Sequence, residues 1–81
     1  MIGCSQYDYI EIVCMFNYPI ELTLKSGCTT KGIALDTAKN TEHEECIKVL
    51  VEECEQLVVL DDISQLKVLV ENPHFSHVSF D

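Results

Sequence analysis

Residues 20–40, IELTLKSGCTTKGIALDTAKN, hold the pattern on which the fold turns. Ile20, Leu22 and Leu24 alternate with Glu21, Thr23 and Lys25, the period of two that gives a strand one core face and one wet face. Ser26-Gly27 predicts a tight turn into a second strand, roughly Thr29 to Thr37. Gly32 within that strand predicts a bulge or sharp bend, which a small curved sheet needs.

On the N-terminal side the period changes to 3.6. In SQYDYIEIVCMFNYP, Tyr9, Ile12, Val13 and Phe16 fall at i, i+3, i+4 and i+7, predicting a helix over about 5–17 with that stripe turned inward. Ser5 reads as its N-cap with Asp8 at the third helical position, and Pro19 forbids continuation. On the C-terminal side, NTEHEE (40–45) reads as a polar connection. CIKVLVEE and EQLVVLDD read as a third and fourth strand, Ile63-Ser64 as a short turn and LKVLVE as a fifth strand. The tail NPHFSHVSFD reads as a Pro-led turn with a short terminal strand, VSF. A helix and five to six short antiparallel strands with brief connections predict a mainly β chain: a helix over about 5–17, then a small barrel over about 20–81. Closing the sheet hides the edges that CIKVLV and QLVVL would otherwise offer for aggregation. An open sheet with the helix across one face is the other arrangement consistent with this order.

The chain has 81 residues, enough for one domain spanning 1–81, and its apolar fraction of 47% argues for a packed core despite a net charge of −9. Cys4, Cys14, Cys28, Cys46 and Cys54 are odd in number and contain no C-x-x-C pair, so neither a zinc knuckle nor a complete disulfide framework is expected. They read as reduced, mostly buried thiols of a cytoplasmic protein. The start MIGCSQYDY lacks the basic and apolar regions of a secretory signal, and no run approaches the roughly 20 apolar residues of a membrane span.

Nothing in the spacing assembles a catalytic site. No Gly-rich phosphate loop, H-E-x-x-H or nucleophile–base arrangement occurs, and adjacent acidic pairs such as Asp61-Asp62 point to opposite faces of a strand. His43, His74 and His77 read as loop histidines rather than metal ligands. No catalytic residue, metal or cofactor is expected. Fourteen acidic residues stand against five lysines and no arginine, a balance that repels phosphate backbones and suits a partner with a basic surface. On the helix, Asp8 and Glu11 lie one turn apart, with Tyr7 four residues before Glu11; a carboxylate pair beside an exposed tyrosine makes a compact interface anchor.

Leu22, Leu24, Gly27, Gly32, Leu35, Asp36 and Asn40 resemble the first motif of the Sm family of small SH3-like RNA-binding barrels, and LVVLDDI faintly resembles the second. That resemblance implies Asp36 and Asn40 in an RNA-contacting loop, and leaves an Sm-like RNA-binding module as the alternative reading. The same two residues also suit loops held by side-chain bonds to the backbone. Tyr7, Asp8, Ile10, Glu11, Ile12 and Cys14, followed by Leu22, Leu24, Lys25 and Gly27, resemble the Rof (YaeO) family, inhibitors of the transcription terminator Rho. The family resemblance implies a helix on an Sm-like barrel that binds the RNA-binding N-terminal domain of Rho and blocks RNA loading. It implies partner-binding roles for Tyr7, Asp8 and Glu11. The chain departs from enteric members at Ser5-Gln6, where they carry an acidic pair, and in a shorter, glycine-free turn near Cys54-Glu55.

Overall fold

A computed structural model describes residues 4–73 and 75–80, with the side chains of Cys4 and Ser5 outside the description. The chain is mainly β, an N-terminal helix followed by six antiparallel strands: α1 (Cys4–Met15), β1 (Pro19–Leu24), β2 (Thr29–Lys39), β3 (Glu45–Val51), β4 (Cys54–Val59), β5 (Ile63–Val68) and β6 (His77–Ser79). The sheet order is β4-β3-β2-β1-β5-β6.

That order forces curvature. β4 and β5 lie four strand spacings apart along the sheet, roughly 19 Å if it were flat. Only the 3-10 turn Leu60–Asp62 joins them, and its four Cα steps reach about 14 Å when fully extended and less when coiled. The sheet therefore curls on itself. A single core results, with Ile20 and Leu22 of β1, Ala34 of β2, Ile47 and Val49 of β3, Val58 of β4 and Leu66 of β5 in one cluster.

The first hairpin forms as its sequence predicts. Ile20 and Leu22 are buried, and Gly27 takes φ +97° in the turn, where Leu24 N–H donates to Cys28 O at 2.8 Å. The bulge, however, is not at Gly32. Gly32 pairs in register with Ile20, while the slip lies between Ala34 and Asp36, leaving Leu35 as the extra residue. Gly32 is instead a point of close approach, where an added Cβ would collide with the Leu50 carbonyl oxygen and stand 2.6 Å from Val49 Cγ1.

Three other expectations shift. β3 stops at Val51, and the turn is Glu52–Glu53, both with positive φ (49° and 71°), a conformation usually left to Asn and Gly in two-residue hairpins. LVVLDD is not all strand, since Leu60–Asp62 makes the 3-10 turn and Ile63-Ser64 open β5 rather than forming a turn. β5 ends at Val68, before the expected LVE.

The helix begins at Cys4, so Ser5 lies inside it rather than capping it, and ends at Met15, short of residue 17. Its end is a Schellman cap: Tyr18 N–H donates to Val13 O at 3.0 Å and Asn17 N–H to Cys14 O at 3.2 Å, with Asn17 at φ 50°. The Asn17 amide also donates to Ala34 O at 2.9 Å, tying the helix end to β2. The buried face is Ile10, Val13 and Cys14, one position away from the expected stripe. Ile12 is half-buried and Phe16 is exposed, stacked on Tyr18 at 5.4 Å between centroids. The helix is apolar at most positions from Ile10 onward, so two overlapping stripes fit it. The cap fixes which one faces in.

Among the described cysteines all are free: Cys14 and Cys46 are buried, whereas Cys28 and Cys54 are exposed, so the expectation of mostly buried thiols holds for two of these four. Burial, aided by the charges of Asp36 and Glu11, pushes the Cys14 thiol up to about 11. Burial raises Cys46 as well. With iodoacetamide at pH 8, peptide mapping should find Cys28 and Cys54 modified first. Cys14, with its thiolate about a hundredfold scarcer than that of an ordinary thiol, should lag far behind. Equal rates at Cys14 and Cys28 would refute this packing. The folded state holds the Cys14 proton more tightly than the unfolded chain, so its contribution to stability is intact below about pH 9 and is lost towards pH 11.

Candidate functional site: the exposed face of the helix

α1 lies on β2 and shows solvent the side chains that the cap turns away from the core. Asp8 and Glu11 are both exposed. Met15, one turn beyond Glu11, is the most exposed large apolar residue among those described, at 71%. Tyr7 differs from the expectation of an exposed ring: it is half-buried and packs against the core, as does Tyr9, which meets Phe75 edge-on at 4.7 Å. The surface is therefore a carboxylate pair with a methionine beside it, and the tyrosine body anchors it from below. Reading the helix stripe one residue later would have placed Met15 and Phe16 outside; the sequence offered no other signal for them.

Between α1 and β2 runs a groove of about 340 Å³ lined by Glu11, Cys14, Met15, Leu35, Asp36 and Thr37. Asp36 lies within β2, not in a loop, opposite Lys48 of β3, and its Oδ1 accepts from Thr37 N–H at 2.8 Å. Asn40 does lie in a loop, and its side chain is committed to it. Oδ1 accepts from the N–H groups of Glu42 (2.9 Å) and Glu44 (3.0 Å), while Nδ2 donates to Glu44 Oε1 at 3.0 Å. That is the backbone-fixing role, and it leaves Asn40 poorly placed to read a base. Among the described residues, Lys31 meets Glu21 at 3.7 Å and Lys48 meets Glu55 at 3.8 Å, so these lysines face carboxylates of the chain itself. His43 is exposed in the 40–44 loop and His77 is exposed at the start of β6 rather than in a loop; His74 lies outside the described residues.

A larger concavity of about 820 Å³ is lined by residues 68–73, 75 and 76, and among these described residues Glu71 is the one titratable group. What distinguishes the molecule is thus a small curved sheet with an acidic helix laid on it. The family model of the modulator of Rho-dependent transcription termination (ROF) matches residues 1–80. The chain belongs to the ROF family. A solved structure of YaeO bound to magnesium, from Vibrio cholerae O395, is 45% identical to this ROF chain, covers 94% of it and 99% of its own length, and superposes with a TM-score of 0.89. Comparison with curated protein sequences gave no match. The magnesium belongs to that relative; among the described residues here no group of three His, Cys, Asp or Glu side chains is arranged to hold a metal ion. As a ROF protein the chain is a modulator of Rho-dependent termination, a regulator rather than a member of an enzyme family.

Proposed function

We propose that this ROF protein inhibits Rho-dependent termination by occupying the N-terminal RNA-binding domain of Rho and keeping transcripts from loading, with Tyr7, Asp8 and Glu11 in the contact. The exposure of Asp8 and Glu11 on one helix face supports this reading best. A surface that binds RNA phosphates is basic, and a chain of net charge −9 that presents two carboxylates on a rigid helix complements it. Acting on Rho places the protein in the cytoplasm.

The test is a competition. A labelled cytidine-rich RNA bound to the Rho N-terminal domain should be displaced as the chain is titrated in. The chain alone should bind that RNA no more tightly than the nonspecific range of about 10⁻⁴ M at physiological salt. Displacement without any direct RNA affinity supports occlusion. A chain that binds Rho yet leaves the RNA in place overturns blocked loading, and micromolar affinity of the chain itself for RNA would restore the Sm-like reading.

A further inference from the structure

We infer that the groove between α1 and β2 receives a single basic side chain of Rho, an arginine by its shape, held between the carboxylates of Glu11 and Asp36; this rests on the Rho-binding reading above. The first observation is that two carboxylates distant in sequence line one cleft with walls of Met15 and Leu35. Both also act electrostatically on the same buried thiol, Cys14, which lines the cleft with them.

The second observation is how Asp36 comes to be there. In a regular strand Asp36, two residues after the buried Ala34, would point to the core. The slip at Leu35 instead sets Ala34 opposite the buried Val49 and Asp36 opposite Lys48, turning the carboxylate out beside the helix. Lys48 itself reaches Glu55 at 3.8 Å, and neither described ion pair involves Glu11 or Asp36. Asp36 keeps one oxygen on Thr37 N–H.

Charge complementarity and shape then choose the occupant. The groove, about 340 Å³, lies at the lower limit of the roughly 300–1,000 Å³ typical of ligand pockets, which suits one long side chain. Two carboxylates in one cleft beside the apolar side chains of Met15 and Leu35 favour a planar, weakly hydrated guanidinium over a compact ammonium. The groove also continues the helix face that carries Glu11, so one partner surface meets both.

Binding of Rho to the full chain, measured for wild type, Glu11→Gln, Asp36→Asn and the double variant, tests this. Asparagine keeps the acceptor for Thr37 N–H, so the folded state is preserved, and thermal melts verify it. Each single change should weaken binding by about tenfold or more. The double variant should lose less than the product of the two, because both carboxylates serve one cation. Glu52→Gln, the same charge change in the remote β3–β4 turn, should stay within about twofold. If Asp36→Asn behaves like Glu52→Gln while Glu11→Gln weakens binding, the groove is empty and the Rho reading survives. Full multiplication of the two losses would mean two separate cations and overturn the shared occupant. Should the wild-type chain fail to bind Rho, the underlying reading falls and takes this proposal with it.

Discussion

Replacing Asp8 and Glu11 by alanine should cut binding to Rho by at least about 30-fold while the protein melts within about 4 °C of wild type. The asymmetry follows from where the groups sit. In the free protein both are exposed, so their removal leaves no buried partner unsatisfied, and surface changes of this kind alter stability by about 0.5 kcal/mol. Alanine also favours a helix interior, which offsets what little dipole stabilisation Asp8 provides beyond the first turn. In the complex each carboxylate would face a cation from which water has been displaced. Removing one member of such a pair costs about 2–5 kcal/mol, against about 0–1 kcal/mol for a pair at an open rim, and 2 kcal/mol is already about 30-fold in affinity. Raising salt should weaken the wild-type complex as well, since the long-range attraction decays over about 8 Å at physiological ionic strength. A folded double variant that restrains Rho at wild-type potency would sink the helix assignment, and the Glu42–Glu45 loop would be the next face to test.

The largest loss of stability should come from the smallest substitution. Gly32→Ala places a methyl group against the Leu50 carbonyl oxygen and 2.6 Å from Val49 Cγ1. Val49 is fully buried in a core that packs closely, and the carbonyl is main chain of the neighbouring strand. Either β2 and β3 separate or the core repacks, at a cost of about 3 kcal/mol. For a domain of this size that is a fall in Tm of about 12 °C or more, read by circular dichroism. Gly27→Ala, in a turn with nothing within 4 Å of the added group but with φ +97°, should lose only the backbone penalty of about 1–2 kcal/mol. A Gly32→Ala protein as stable as wild type would show that β2 and β3 do not approach so closely there.

The candidate site was partly legible. Asp8 and Glu11 are exposed whichever apolar stripe faces inward, because neither belongs to the stripe expected or to the stripe observed. Tyr7, Met15 and Phe16 depended on the helix rotation, and there the sequence was ambiguous. Asp36 was noticed for the wrong environment: its letter suited an RNA-contacting loop, but the residue is in a strand and faces the helix groove.

The amino-acid sequence alone determined the class of fold, the hairpin Ile20–Leu24 with its Ser26-Gly27 turn, the helix before Pro19, and the acidic balance that disfavours nucleic acid. Each of these is a local effect: side-chain period, the steric demand of proline or glycine, or a sum of charges. Only the tertiary structure decided the position of the bulge, the purpose of Gly32 and the face on which α1 packs. A bulge at Leu35 and a regular strand at Gly32 are nearly equal locally; what separates them is whether β3 can approach Gly32 closely while Ala34 still reaches the core. Likewise, two overlapping stripes compete for the inner side of a helix apolar at most of its later positions. The bond from the Asn17 amide to Ala34 O, joining residues seventeen apart in the chain, settles which one is buried. Contacts of that length are invisible to periodicity, because they exist only after the sheet has curled.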